Sequence, residues 1–267
     1  ALDDGHHGYV MSNGIPECRE AVTRWIKKQY NTNIDPERIL IMPGGKPTMS
    51  YAIQCFGEPG AEIIHPTPAF PIYESMINYT GSTPVPYDLT EDKDLKFDPD
   101  KILSLITENT RLIILNNPNN PTGSYITRDE LDAFLATIPE STIVVMDEAY
   151  FEYVDADDYP NGLDYLPKRK NLLVSRTFSK CYGLAGLRIG YAVGHPELID
   201  YLNRGRQPFN VNSLAQIGAM AALDDTEHLE RARSLNRREM DRLVPEIEKM
   251  GCSVTPSQAN FQFFRFF

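Results

Sequence analysis

The chain has 267 residues, 42% hydrophobic and 24% charged, which is the composition of a folded globular protein with one large domain or a large and a small one. Its formal net charge of -11 argues against nucleic acid or an anionic membrane as a main partner, since no block of Lys or Arg offsets it. The four cysteines form no CxxC pair, no apolar run approaches a membrane span, and the first residues lack a signal-peptide pattern. We therefore predict a cytoplasmic protein with free thiols.

Short apolar runs alternate with segments of helical spacing along the first 200 residues. Several of the runs are continuously apolar, as in strands that are buried on both faces. The predicted strands are 38–42, 61–65, 83–87, 111–115, 142–147, 171–175 and 188–193, and the predicted helices between them are 16–30, 46–57, 69–79, 98–106 and 127–137. Thr127 and Glu130 predict a capping box. The alternation predicts an α/β fold with a mainly parallel seven-stranded sheet covered by helices on both sides.

The pattern changes after Tyr201. Residues 211–223 predict a helix, and 225–251 a long charged helix that ends at Gly251. The segments "CSVTP" (252–256) and "NFQFFRFF" (260–267) predict two further strands. We therefore divide the chain into an N-terminal segment 1–14, a large domain 15–223 and a partial small α+β domain 224–267.

Three loops that follow predicted strands contain polar groups that could bind a ligand. In "PGGKPT" (43–48) the glycines and the start of a helix offer backbone amides to a phosphate, although the P-loop spacing is absent and a plain turn is the alternative. "NNPNNPTG" (116–123) is a rigid turn that also offers side-chain amides. "VVMDEAY" (144–150) ends a strand in Asp147, which either caps the next segment or pairs with a protonated ring nitrogen.

A lysine stands among hydroxyl, small and apolar residues in "SRTFSKCYGLAGLRIGY" (175–191). Lys180 is either an ordinary surface lysine or an amine that is removed from water. An amine of the second kind is neutral more readily and forms a Schiff base with an aldehyde.

The motifs resemble, in order and spacing, those of the fold-type-I aminotransferases that use pyridoxal 5'-phosphate (PLP). The resemblance rests on "NNPNNPTG", "DEAY" and "SKCYGLAGLRIGY" and covers essentially the whole chain. From "TRDELDAF" (127–134) onward the sequence is most similar to histidinol-phosphate aminotransferases, notably in "RQPFNVNSLAQ" and "ANFQFFRF". The part from "GGKPTMSYAIQCFGEPGAE" (44–62) to residues 111–123 is equally similar to aspartate-type enzymes.

The resemblance implies roles for five residues around the PLP ring. Lys180 would hold PLP as an internal aldimine and then act as general base and acid. Asp147 would keep the ring nitrogen protonated. Tyr150 and Asn120 would hydrogen-bond to the phenolic oxygen of PLP, and Phe70 would stack on the ring.

The resemblance also implies a phosphate site and a homodimer. Residues that would hold the phosphate are Gly45, Lys46, Thr177, Ser179 and Arg188. Tyr9 matches a tyrosine that reaches the phosphate of the neighbouring subunit, which implies a homodimer with shared active sites. Arg206 is a looser prediction for the distal phosphate or carboxylate of a substrate, with a solvated helix-end arginine as the alternative. His6 and His7 have no partner at ligand spacing, so we predict no metal site.

Three functions remain open at this stage. The first is a PLP-dependent aminotransferase that moves an amino group between an amino acid and a 2-oxo acid or imidazole-acetol phosphate. The second is a PLP-dependent decarboxylase of the same fold. The third is a PLP-binding domain with impaired catalysis, because the chain ends at "FQFFRFF" (261–267), before the segment where the family carries an arginine for the substrate's α-carboxylate. We therefore expect a truncated member of the family.

Overall fold

The computed structural model describes residues 1–90 and 95–266. All seven strands predicted for the sheet are confirmed, and no strand end is shifted by more than two residues. They are β1 (Ile39–Met42), β2 (Glu62–Thr67), β3 (Thr83–Asp88), β4 (Thr110–Asn116), β5 (Ile143–Asp147), β6 (Leu172–Thr177) and β7 (Gly190–Gly194).

These strands form one sheet in the order β1-β7-β6-β5-β4-β2-β3. Strand β7 is antiparallel to both of its neighbours, β1 and β6, whereas the other pairs are parallel. The prediction of a mainly parallel sheet is therefore confirmed. Because β7 runs in the opposite direction, its first residue lies at the edge of the sheet where β1, β4, β5 and β6 end.

Helices pack on both faces of the sheet. One face is covered by α2 (Gly45–Phe56), α3 (Ile72–Tyr79) and α6 (Pro196–Gly205), whose buried side chains form one apolar cluster with alternate strand residues such as Leu40 and Val145. The other face is covered by α1 (Pro16–Tyr30), α4 (Pro99–Ser104), α5 (Arg128–Thr137) and α7 (Ser213–Asp224), which pack on the intervening residues such as Ile41 and Val144. Side chains of a strand point alternately to the two faces, which explains this division.

The starts of three helices show how short sequence signals set helix boundaries. The predicted capping box is confirmed, because the Thr127 side chain accepts a hydrogen bond from the Glu130 amide and the Glu130 carboxylate accepts one from the Thr127 amide. Helix α3 begins at Ile72 rather than at 69, since Pro71 stands at its N-cap and a proline suits a helix start but not a helix interior. Helix α6 was not predicted, although Pro196 at its first position and the buried Leu198 and Leu202 on one face are helix signals.

The last part of the chain forms helix α8 (Thr226–Lys249) and a two-stranded antiparallel ribbon, β8 (Ser253–Val254) and β9 (Phe264–Arg265). Both strands occur where they were predicted but contain two residues each, and Phe267 lies outside the described residues. The division into domains at residues 14 and 223 stays a prediction. Within residues 1–90 and 95–266, no helix has both the length and the apolar character needed to cross a membrane.

A fully buried ion pair joins the ends of β5 and β6. The Arg176 guanidinium donates two hydrogen bonds to Glu148 Oε2, at 2.9 and 2.8 Å, and one to Asn161 Oδ1 at 2.7 Å. The Gly162 amide donates to the other Glu148 oxygen at 2.8 Å. Both charged side chains have 0% exposure. Removal of one partner leaves the other as an uncompensated charge in a medium that solvates it poorly.

We expect Arg176→Met to lower the free energy of unfolding by about 3–5 kcal/mol, because Glu148 loses its counterion while staying buried. Urea unfolding measures the loss. Arg204→Met is the matched control, since Arg204 pairs with Asp200 at 3.0 Å with both side chains exposed, and it should cost under about 1 kcal/mol. Equal losses in the two variants would contradict a special contribution of the buried pair.

Candidate active site

A cavity of about 280 Å³ opens at the edge of the sheet where four strands end and β7 begins. Asn116 and Asp147 are the last residues of β4 and β5, and Thr177 is the last residue of β6. Gly45 follows β1, and Arg188 precedes β7. Ligands of open α/β sheets bind beyond the carboxyl ends of the parallel strands, so this cavity lies where a ligand site is expected.

The structure brings most of the predicted site residues together around this cavity. Ten of them line it: Gly45, Lys46, Phe70, Asn120, Asp147, Tyr150, Thr177, Ser179, Lys180 and Arg188. Four lining residues were missed, namely Tyr73, Asn116, Ala149 and Ala185. Asn116 stands inside the motif that contains Asn120, and Tyr73 lies three positions after the predicted Phe70, whereas the two alanines have no polar group that could have marked them.

Asp147 is the buried acidic group of the cavity, with 6% of its surface exposed. Its carboxylate accepts hydrogen bonds from Tyr73 Oη at 2.7 Å and from the Ala149 amide at 3.2 Å. Burial raises the pKa of Asp147 above its usual value, and the two hydrogen bonds and the charge of Lys180 oppose that rise. Among the described residues no Lys, Arg or His forms a salt bridge with it. The carboxylate is therefore fixed in orientation and open to a cationic partner.

A phenol, an amide and an amine lie close to one another on a second side of the cavity. Asn120 Nδ2 donates to Tyr150 Oη at 2.9 Å, and the backbone amide of Asn120 donates to Asn116 Oδ1 at 2.7 Å. The Lys180 Nζ lies 5.0 Å from the centroid of the Tyr150 ring. The Phe261 ring, from the last part of the chain, packs nearly perpendicular to the ring of the same tyrosine, at 5.0 Å between centroids. These contacts hold the phenol in place beside the lysine.

A third side of the cavity is suited to an anion. Helix α2 begins here, after Gly44 in a conformation with φ of 105° that favours glycine. Arg188 Nη1 donates to Ser179 Oγ at 3.1 Å and to the Ala185 carbonyl at 2.8 Å. The Ser179 amide donates to Thr177 Oγ1 at 3.1 Å. A helix N-terminus, a guanidinium and hydroxyl groups together make a phosphate-type site.

Two predicted residues do not line the cavity. Tyr9 is 89% exposed and packs against Phe209 at 4.8 Å between ring centroids. The guanidinium of Arg206 is held by Asn203 Oδ1, at 2.6 and 3.0 Å, and by the Gln207 carbonyl at 3.1 Å. The roles of Tyr9 in a neighbouring subunit and of Arg206 in substrate binding stay predictions.

Residues 1–267 match the family model for aminotransferase class I and II. The chain therefore belongs to the class I and II aminotransferase family. Within it, the chain is 41% identical over 244 residues to a histidinol-phosphate aminotransferase of Caldicellulosiruptor saccharolyticus, covering 91% of this chain and 66% of the relative. It is 42% identical over 258 residues to histidinol-phosphate aminotransferase 1 of Nitrosococcus oceani, covering 97% of this chain and 65% of the relative. The chain thus spans about two thirds of the length of these curated relatives.

Solved structures of aspartate aminotransferases have the same fold. A tetra mutant of the Thermus thermophilus enzyme superimposes with a TM-score of 0.89 at 26% sequence identity, covering 97% of this chain and 73% of that one. The enzyme of Rhizobium meliloti superimposes with a TM-score of 0.91 at 24% identity, covering 99% of this chain and 68% of that one. The predicted α/β aminotransferase fold and the resemblance to histidinol-phosphate aminotransferases are both confirmed.

Proposed function

We propose that the protein is a PLP-dependent aminotransferase that moves an amino group between an amino acid and a carbonyl acceptor. The observation that carries this proposal is the convergence of Lys180, Asp147 and Arg188 on one cavity. We propose histidinol phosphate and imidazole-acetol phosphate as one substrate pair and an amino acid with its 2-oxo acid as the other. The relatives at 41% and 42% identity, which are named histidinol-phosphate aminotransferases, support this substrate assignment.

The residues present fit PLP group by group. Asp147, a buried carboxylate without a cationic partner among the described residues, suits a protonated ring nitrogen. Tyr150 and Asn120 suit the phenolic oxygen, and the start of α2 with Arg188 suits the phosphate. The amine of Lys180 is the group that would attach the aldehyde carbon covalently. When bound, PLP supplies an electron sink for the negative charge that develops on the substrate carbon.

Each side chain of the site would then have its own role in amino transfer. Lys180 Nζ would take the proton from the substrate carbon that carries the amino group and would deliver a proton to the former aldehyde carbon of PLP. Asp147 would keep the proton on the ring nitrogen, with Tyr73 Oη and the Ala149 amide holding its carboxylate in one orientation. Asn120 would orient the Tyr150 hydroxyl through their 2.9 Å hydrogen bond. Phe70, which lines the same cavity, would cover one face of the ring.

The visible absorption spectrum of the protein with PLP tests the proposal. We expect a band of covalently attached PLP that borohydride fixes on Lys180, located by peptide mass spectrometry. Histidinol phosphate is expected to convert the bound PLP to its aminated form, and a 2-oxo acid to reverse the conversion. Release of carbon dioxide from an amino acid would favour the decarboxylase instead, and bound PLP that reacts with no amino donor would favour the impaired domain. The reported relatives, all named aminotransferases, support amino transfer over both alternatives.

We expect Gly44→Ala to weaken PLP binding by about tenfold. A Cβ at this position would lie 2.8 Å from Arg188 Nη2 in a backbone conformation with φ of 105°, so the substitution strains the loop and displaces the guanidinium at the phosphate site. Titration with PLP, followed by absorbance, measures the change. Gly186→Ala is the control, because its Cβ would meet nothing within 4 Å. Unchanged affinity in Gly44→Ala would count against a phosphate site at this loop.

We also propose that the protein acts as a homodimer in which Tyr9 reaches the neighbouring site. Exposed apolar side chains near Tyr9 support this, since Phe209 is 55% exposed and Leu214 38%. A sedimentation measurement that gives the mass of a single chain at micromolar concentration would contradict it.

A further inference from the structure

The segment 257–261 lies between β8 and β9, and it contacts the loop that carries Asn120. The backbone amide of Gln258 donates a hydrogen bond to the Gly123 carbonyl at 2.9 Å. The two backbones approach closely, since a Cβ on Gly123 would lie 3.0 Å from Ser257 Cα. The last part of the chain therefore packs directly on a loop of the candidate active site.

Contacts other than those of the Phe261 ring fix the backbone of this segment. Ser257 Oγ donates to the Phe261 carbonyl at 2.8 Å and accepts from the Ala259 amide at 3.1 Å. Gln258 Oε1 accepts from the amide of Asp155, in the segment after β5, at 2.9 Å. Ala259 itself is 1% exposed. The side chain of Phe261 therefore extends from a backbone that is anchored at several points.

Tyr150 receives its aromatic packing from this segment. It is 4% exposed, yet it belongs to neither of the two apolar clusters that the described residues form on the faces of the sheet. The Phe261 ring packs on the Tyr150 ring with 86° between the ring planes, an attractive geometry for an aromatic pair. At its outer end, the Tyr150 hydroxyl accepts from Asn120 Nδ2. A tyrosine side chain has two rotatable bonds before the ring, so one hydrogen bond at its end does not fix the ring by itself.

We propose that Phe261 is a positioning residue whose ring holds the Tyr150 hydroxyl where the phenolic oxygen of PLP would lie. Of the two, Tyr150 lines the cavity and Phe261 does not, so Phe261 acts through Tyr150. The segment 257–261 also contacts the loop of Asn120, so it fixes the distance between the two groups that would bind that oxygen. The choice of the phenolic oxygen rests on the proposed function, whereas the contact between the two rings does not.

The first experiment uses the protein without PLP. Tetranitromethane nitrates the phenols that it reaches, and peptide mass spectrometry locates nitrated Tyr150. We expect nitration of Tyr150 to be about fivefold faster in Phe261→Leu than in the unchanged protein, because loss of the aromatic pair lets the phenol leave its buried position more often. Phe264→Leu is the matched control in the same ribbon, since Phe264 is 37% exposed and packs on Phe266, and its rate should not change.

The second experiment uses the protein with PLP attached. The visible absorbance depends on a proton held between the phenolic oxygen of PLP and Lys180 Nζ, and a hydrogen bond donated to that oxygen weakens the hold. We expect the midpoint pH of the absorbance change to rise by about 0.5 in Phe261→Leu, because the Tyr150 hydroxyl is at that oxygen less often. Phe261→Tyr keeps the ring and should restore the midpoint. Phe264→Leu should leave the midpoint unchanged.

Equal nitration rates in Phe261→Leu and the unchanged protein would overturn the proposal, whether or not PLP binds. Faster nitration with an unmoved midpoint would disconnect Tyr150 from the phenolic oxygen and overturn it as well. Faster nitration in a protein that attaches no PLP would support the hold on Tyr150 and contradict the proposed function. If Phe261→Leu does not fold, Ser257→Ala removes the hydroxyl that anchors the Phe261 carbonyl and should change both measurements in the same direction. No change in Ser257→Ala would then overturn the proposal.

Discussion

Lys180→Ala is expected to abolish covalent attachment of PLP and to lower the rate of amino transfer by at least about a thousandfold. The variant lacks both the amine that attaches the aldehyde carbon and the base that moves the substrate proton, and a positioned base alone contributes about 10²–10⁴. Some PLP should still bind without a covalent bond, because the start of α2 and Arg188 remain to hold its phosphate. Borohydride treatment followed by mass spectrometry measures the attachment, and single-turnover absorbance measures the rate.

Lys46→Ala is the matched control for this variant. Lys46 lines the same cavity, and its Nζ lies 5.8 Å from the centroid of the Phe70 ring. Its proposed contact with the phosphate is through the backbone amide, which the substitution keeps. Covalent attachment should therefore persist in Lys46→Ala. If borohydride still fixed PLP on the Lys180→Ala protein, the assignment of Lys180 would be wrong.

Asp147→Asn should keep PLP in place but slow amino transfer by about 10²–10⁴. A neutral amide does not hold the proton on the ring nitrogen, and the charge-assisted bond is lost. The same substitution should not lower the free energy of unfolding. Because burial raises the pKa of Asp147 in the folded chain, its ionised form costs stability at pH values above the unfolded pKa. At pH 7.5 the free energy of unfolding of the PLP-free variant should thus equal or exceed that of the unchanged protein without PLP.

Asp158→Asn is the control, since Asp158 also accepts a hydrogen bond from a tyrosine, Tyr125, at 2.8 Å but lies exposed at the surface. Its rate of amino transfer should not change. Bound PLP content, rate and urea unfolding are measured on the same preparations. Near-normal amino transfer in Asp147→Asn would mean that another group protonates the ring.

The sequence by itself determined the elements and most of the lining of the cavity. The strands were predictable because each is a continuous apolar run bounded by turn residues, as in "RLIIL" before "NNPNNPTG". The start of α5 followed from the local pair Thr127 and Glu130. Asp147 and Lys180 stand at the end of a strand and in a loop between strands, and the carboxyl ends of parallel strands share one edge of the sheet. Asn120 was selected from the loop 116–123 by the resemblance to aminotransferases.

Only the tertiary structure decided which distant residues meet. Tyr73 donates to Asp147 across 74 positions of the chain, and no local pattern marks that hydrogen bond. The antiparallel direction of β7 brings Arg188 to the edge where the other strands end, and that direction follows from strand pairing, not from the apolar run itself. Phe261 packs on Tyr150 because the last part of the chain folds against the segment after β5. Burial is a property of the packed chain, since it depends on which surfaces the fold removes from water.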